Sequence, residues 1–516
     1  MLLLLLFVIG AIILSNIYYI VLDQEPQAWD QALHMTYSYI YYKLISTFHF
    51  GQIIHVSNYY PPFFHLSSVP LYFMFGFSED VAVYVNIIYY LILVFSVYNI
   101  AKYLWGREAG IVAAILVSFY PALIRLQREY LLDFALTSIV SLSIYFFMKS
   151  KNFNSIKYSI LFGITLGLAQ LLKWNAFIFI LPIVAISLLP IMFCEYCGKL
   201  INGGYKVGML KFCSKKHAKM YEVQCKGNRV LNALISFSLA FIIAAWWYIP
   251  NLSTVIRRLS YFASIGVKEG DPTVFSMEGW MYYITHMSNG MGFYFLLFII
   301  GLVLLLYKRK IEKSTFLLIS AIVIPYLILT ALSNKDPRYI VPIFPFAALI
   351  TSKALENVSK NKKVIVLLII IGLIHLSAVT FGYPNIFISD KPKREDWKIH
   401  ELLDTICMNS KGGEIVVVLP DHVYLNGQSL EFYRIIGGYN FRVYNGVYLP
   451  FEVVSKNIDK ISFIILIEPR EHKGVYGEVE KKLYELFYSN KDKFKLIKTF
   501  DLPDGTKLYL YKNKNI

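Results

Sequence analysis

Long apolar runs separated by short basic loops set the pattern of this chain. Runs of about 20 residues, enough to cross the hydrocarbon core of a bilayer, fall near 2–22, 81–101, 109–125, 131–148, 156–172, 174–193, 231–249, 291–307, 314–333, 339–355 and 364–383. They predict a polytopic α-helical membrane protein with eleven transmembrane helices. The first run, Met1 to Ile20, has neither a basic leader nor a small-residue cleavage site, so it is expected to remain as a span.

The basic residues collect in alternate loops: Lys102 and Arg107; Lys149, Lys151 and Lys157; Lys199 through Arg229; Lys308, Arg309, Lys310 and Lys313; and Lys353, Lys360, Lys362 and Lys363. By the positive-inside rule these loops, and the N-terminus, are cytoplasmic. The stretches 23–80, 126–130, Lys173, 250–290 and 334–338 then face outward. An odd number of spans also places 384–516 outside, as a domain separate from the membrane unit 1–383. That tail opens with a charged linker, Asp390 to Asp396. Glu414–Leu419 and Ile461–Ile467 then read as buried strands, Gly477–Asn490 as an amphipathic helix, and 495–500 with 507–511 as a hairpin through Asp504-Gly505. A small extracytoplasmic α/β domain is the expectation.

Composition agrees with a membrane protein. Of 516 residues, 57% are hydrophobic and 16% charged, and the mean hydropathy is +0.52, too apolar for a soluble protein of this size. The net charge of +16 is explained by loop lysines and arginines that set topology, so no nucleic-acid partner is expected. The chain reads as an integral protein of a prokaryotic plasma membrane, in contact with the lipid bilayer.

Four of the five cysteines lie in the cytoplasmic loop 194–228. Cys194, Cys197, Cys213 and His217 have the spacing C-x2-C-x15-C-x3-H, which supplies three thiolates and an imidazole to a tetrahedral zinc. The segment resembles treble-clef zinc knuckles, whose pattern is CxxCGK followed by FCS-x-x-C or H. With every position filled, such a zinc is structural; Cys225 is the alternative fourth ligand.

Ionisable residues gather at the outward ends of the runs. Asp30 and His34 stand one helical turn apart just beyond the first run. Arg128, Glu129 and Asp133 lie at the third-to-fourth junction, Lys173 at the fifth-to-sixth, His286 in the long loop, and Lys335, Asp336 and Arg338 before the tenth run. Arg125, Arg257 and Arg258 read as anchors for lipid headgroups. Apart from His375 no ionisable side chain falls near mid-span. Ion-coupled transporters place carboxylates there, so the pattern favours chemistry at the membrane surface.

Six short motifs recur in order: Trp29-Asp30-Gln31, Tyr60-Pro61-Pro62-Phe63-Phe64-His65, Arg128-Glu129-Tyr130-Leu131-Leu132-Asp133, Leu172-Lys173-Trp174, Trp246-Trp247-Tyr248 and Asp336-Pro337-Arg338-Tyr339-Ile340-Val341-Pro342. Together, over about residues 1–380, they resemble the GT-C superfamily of glycosyltransferases, nearest the protein O-mannosyltransferases and aminoarabinose-transferase-like enzymes. The resemblance implies a polyprenyl-phosphate sugar donor, a protein, lipid or glycan acceptor, and direct displacement at the anomeric carbon. It implies Asp30 as the general base; Gln31 stands where relatives often carry a second acid. Arg338 is implied near the donor phosphate, with Arg128 and Lys173 as further cations. Glu129 and Asp133, four apart, are expected on one helical face, where they bind sugar hydroxyls, pair with Arg128 and Lys173 or, with His34 or His286, hold a divalent metal whose need is left open. Two rival readings are a flippase or transporter for lipid-linked sugars and a non-catalytic assembly subunit that docks through its zinc knuckle.

Overall fold

A computed structural model of the chain describes all residues except 190–192, 202–203, 208–209, 225–226, 308–311, 359, 388 and 469–473. Cys225 and the basic cluster Lys308 to Lys310 therefore lie outside the described residues. Every one of the eleven apolar runs contains a helix. Among the described residues, six helices are individually long and apolar enough to cross a membrane, or seven if one bent pair is counted as a single span.

Ile156–Leu172 and Ala176–Leu188 are shorter apolar helices, and two further runs are broken at prolines. The run 109–125 divides into Arg107–Ser118 and Pro121–Leu126, with Pro121 opening the second helix where a missing amide costs nothing. The run 339–355 begins as a 3-10 turn, Pro337–Ile343, and becomes α-helical only over Phe344–Ala354. In the opposite sense, the span expected to stop at Pro250 continues to Glu269 as one helix of 41 residues. Proline removes a single intrahelical bond, and here the flanking turns carry the helix through.

The stretch 250–290, expected as a loop, is mostly helical. Met277–Met291 and Tyr294–Tyr307 meet at a bend of 117°. Gly292 makes the corner at φ +60°, where a Cβ would lie 2.8 Å from the His375 ring and 2.9 Å from Phe387. Gly290, two residues earlier, lets the same helix approach Phe344 and Ala122; a Cβ there would stand 2.8 Å from Phe344. His375 is buried and satisfied, its Nδ1 3.0 Å from the Phe119 carbonyl and its Nε2 accepting from the Phe293 amide.

Beyond the first span, the chain forms the helix Trp29–Ser46, breaks across Tyr59 to Pro62, and resumes as Phe63–Phe75. The C-terminal part is a five-stranded mixed sheet ordered 441–445, 414–418, 463–467, 507–513, 494–501. The first three strands are parallel and the last two antiparallel to their neighbours. Phe463–Ile467 is buried along its whole length, which is why it reads as an unbroken apolar run.

This sheet unit rests on the Asp30 segment. Helix Gly427–Gly437 packs against Trp29–Ser46, and Ser429 Oγ donates to the Gln27 carbonyl at 2.7 Å. The Tyr433 hydroxyl donates to Glu79 at 2.9 Å and accepts from the Gln27 amide at 3.2 Å. At its other edge, Tyr476 donates to Glu269 at the tip of the long helix, 2.8 Å.

Candidate functional site

Helix Trp29–Ser46 sets Asp30 and His34 on successive turns, but their surroundings differ. The Asp30 carboxylate remains 41% exposed. His34 is buried, its Nδ1 3.1 Å from His65 Nε2 and its ring edge-on to Tyr60. Burial, aided by Lys173 and Arg338, pushes the His34 imidazolium down to about 3, so the ring is neutral. Trp29, immediately before Asp30, takes φ +21° and donates its indole N–H to Asp421 of the sheet unit at 2.9 Å.

Opposite Asp30 stands a clasp made within one tripeptide. Asp336 caps the 3-10 turn by accepting from the Arg338 amide at 2.8 Å. Its carboxylate then takes the Arg338 side chain through Nε at 3.0 Å and Nη2 at 2.6 Å. The same Nη2 reaches Asp30 Oδ2 at 3.3 Å. Burial alone would raise the Asp336 carboxyl, but Arg338 outweighs it and holds the group below its ordinary value.

The other expected cations are placed differently. Lys173 forms a buried pair with Asp133, Nζ to Oδ1 2.6 Å, with Tyr339 beneath the ammonium at 4.9 Å. Arg128 is fully enclosed. It donates to Asn16, Ser15 and Thr380, lies 3.7 Å from Asp390, and covers the Tyr19 ring. Arg128 thus ties the first helix to Lys362–Phe381 and the following linker. Lys335 spends its ammonium on the Thr330 and Leu332 carbonyls.

Arg338 also lines a cavity of about 760 Å³. Its polar wall carries Arg125, Glu129, His286, Asn289 and Asp336, and its apolar wall Leu126, Val341, Phe344, Ile386 and Phe387. Glu129 and Asp133 do not share a helical face, because the helix starts only at Leu132. Glu129 faces the cavity and Asp133 faces Lys173. Burial pushes the Glu129 carboxyl up to about 7; Asp390 adds to the rise, and Arg125 and Arg338 oppose it. Arg125, expected to face lipid headgroups, lines this cavity instead.

Among the described residues, the one group of three or more His, Cys, Asp or Glu gathered closely enough for a metal ion is Cys194, Cys197, Cys213 and His217. Their ligand atoms lie within 4.8 Å of one another, with Cys197 and Cys213 sulfurs 3.8 Å apart. A tetrahedral zinc with Zn–S bonds of about 2.3 Å needs S–S separations of about 3.8 Å, so the set fits. Burial pushes the Cys194 thiol up, but the amides of Cys197, Cys213 and Tyr196, together with His217, bring it down to about 6. The knuckle is clamped to helix Lys313–Thr330: Lys313 donates through Nζ to Glu195 at 2.7 Å and through its amide to Gly198 at 2.8 Å. It lies at the opposite end of that helix from Asp336 and Arg338.

Residues 61–194 match the family model described as dolichyl-phosphate-mannose-protein mannosyltransferase. The whole chain has the fold of ArnT from Cupriavidus metallidurans, with 10% identity, 98% of this chain and 97% of that chain covered, and a TM-score of 0.57. Two other solved structures share the fold. The Archaeoglobus fulgidus oligosaccharyltransferase is 12% identical over 99% of this chain and 74% of its own, with a TM-score of 0.53. A mutant of the mycobacterial arabinofuranosyltransferase AftD is 11% identical over 98% and 41%, with a TM-score of 0.52. No curated protein matches the chain by sequence.

Proposed function

We propose that this chain is a GT-C glycosyltransferase that transfers one sugar from a polyprenyl phosphate to an acceptor hydroxyl, with inversion at the anomeric carbon. The carrying observation is that Arg338 has two faces: it lines an amphiphilic cavity and lies 3.3 Å from the Asp30 carboxylate. A lipid phosphate seated at the cavity's polar wall would set its anomeric carbon near Asp30, with the prenyl chain along Leu126, Val341 and Phe344. The ArnT structure of the same fold holds undecaprenyl phosphate.

In this reading Asp30 accepts the proton of the acceptor hydroxyl as its oxygen bonds to the anomeric carbon. The bond from that carbon to the phosphate oxygen breaks, and the polyprenyl phosphate leaves with the bonding pair. Arg338 stabilises the charge that grows on the departing phosphate, where a guanidinium outperforms an ammonium. Attack opposite the leaving group inverts the centre. The acceptor, whether on protein, lipid or glycan, enters between the membrane unit 1–383 and the covering unit 384–516. The basic loops put the knuckle and N-terminus in the cytoplasm and Asp30 outside.

Cys194, Cys197, Cys213 and His217 hold one structural zinc. A zinc there would fix the turn that grips Lys313, and no step of transfer passes through it.

The deciding experiment reconstitutes the purified chain in liposomes with radiolabelled polyprenyl-phosphate sugars and a panel of hydroxyl acceptors, comparing wild type with Asp30→Asn. Sugar transfer by wild type and its loss in Asp30→Asn are expected. Full turnover by Asp30→Asn would remove Asp30 as the base, and movement of intact lipid-linked sugar without transfer would favour a flippase.

A further inference from the structure

Two guanidinium groups line the cavity, and one of them is largely committed. Arg338 gives Nε and Nη2 to Asp336 and Nη2 to Asp30. Among the described residues only its Nη1 has no partner. Its charge is already shared by two carboxylates, so it cannot by itself balance a phosphate whose negative charge increases as the glycosidic bond breaks.

Arg125 is the opposite case. It sits on the short helix Pro121–Leu126, and its Nε is buried without a hydrogen-bond acceptor. Among the described residues it makes no hydrogen bond or ion pair, although its charge reaches Glu129 and Asp390. A buried donor atom left unsatisfied keeps its full desolvation penalty. That cost is recovered when an anion enters. The helix bearing Gly290 closes against Ala122 beside it.

We infer that Arg125 is the second guanidinium on the donor phosphate, holding it together with Arg338. The inference rests on the polyprenyl-phosphate reading given above. One non-bridging oxygen takes the free Arg338 Nη1 and another takes Arg125, so the phosphate is gripped from two walls of the cavity. Arg128, three residues on, is excluded from this role because its guanidinium is consumed by Asn16, Ser15, Thr380 and Asp390. The same phosphate chemistry could come from a bilayer phospholipid, and the test separates the two sources.

The full-length protein in detergent is titrated with undecaprenyl phosphate, undecaprenol and phosphatidylglycerol, with tryptophan fluorescence as the readout. Wild type is compared with Arg125→Gln, Arg125→Lys and, as an exposed control, Arg257→Gln. Arg125→Gln is expected to weaken undecaprenyl phosphate at least tenfold, to leave undecaprenol binding unchanged and to have a Tm no lower than wild type. Arg257→Gln is expected to behave as wild type. Undiminished binding of undecaprenyl phosphate by Arg125→Gln would overturn the inference and leave the donor reading intact. No binding of undecaprenyl phosphate by wild type would instead overturn the donor reading. Equal displacement by phosphatidylglycerol would make Arg125 a bilayer anchor and overturn the inference. Should Arg125→Gln not fold, Arg125→Lys decides: binding at least threefold weaker upholds the inference, and wild-type binding overturns it.

Discussion

Arg338 and Asp30, 308 residues apart in the chain, are joined by one hydrogen bond of 3.3 Å, while Asp336 takes the same guanidinium at 2.6 Å. The shorter contact positions the arginine, and the longer one is the bond a ligand can replace. Asp336→Asn is therefore expected to act as a positioning defect. Arg338 would lose its anionic anchor and close on Asp30, raising KM for donor and lowering kcat, each by about tenfold. Steady-state kinetics of the variant, with Arg338→Lys as companion, check this. An unchanged KM would show that Asp336 does not orient the arginine.

Asp30→Asn keeps the shape of the site and removes the proton acceptor. The loss in kcat should be about 10² to 10⁴-fold, with donor affinity within a few-fold of wild type. Equal losses in donor binding and turnover would place Asp30 in binding rather than in proton transfer.

Glu129 makes the cavity sensitive to pH. Its carboxyl is raised from an ordinary 4.5 to about 7 by burial, so between these values the folded protein keeps a proton that the unfolded chain has released. Its contribution to stability accordingly falls as pH rises through that window and is flat above it. The ionised form shares the cavity with the incoming phosphate, so donor affinity should drop as pH rises through about 7, and Glu129→Gln should abolish the drop. Asp336 is held low by Arg338 and stays ionised, and His286→Gln controls for the other titrating group on the wall. Donor dissociation constants measured from pH 5.5 to 8.5 test this directly.

Lys173 and Asp133 form a buried pair whose side chains are 10% and 4% exposed. Removing one partner strands a charge, so Lys173→Met should cost about 3–5 kcal/mol, and adding Asp133→Leu should restore much of it. Thermal unfolding of the two single variants and the double variant gives the comparison. If Lys173→Met leaves stability unchanged but weakens donor binding, the lysine serves the phosphate instead.

The knuckle should carry one zinc per chain. Cys194→Ser is expected to lose it and to lower Tm, and His217→Cys to retain it as a four-thiolate site. Metal analysis by mass spectrometry decides, and a metal-free wild type would remove zinc from the account.

Hydrophobic runs and buried strands could be read directly because each has a continuous apolar signature. The strand Phe441–Asn445 escaped because it is a five-residue edge with alternating burial, and Gly427–Gly437 because a short, partly polar helix looks like a loop until Trp29–Ser46 covers it. At the site, residue types were legible and directions were not. Arg125 and Arg128 are three residues apart, yet one opens into the cavity and the other into the helix interface. The short helix ends at Leu126, between the two arginines, and Leu131, extended at φ −124°, interrupts the chain again before the next helix begins. Helical periodicity cannot carry a direction through such a break, and the same break separates Glu129 from Asp133.

The helix Arg229–Glu269 has 41 residues and is about 60 Å long at 1.5 Å per residue, twice the thickness of the hydrocarbon core. Its tip, Glu269, receives both Tyr476 of the sheet unit and Asn334, four residues before Arg338. That helix works as a gauge block. In the proposed transfer it would set the clearance between the sheet unit and the membrane unit, and so the largest acceptor that can pass between them. One residue added to its protruding half would raise the tip by about 1.5 Å and turn it by about 100°, altering which acceptors fit before any side chain at Asp30 is changed.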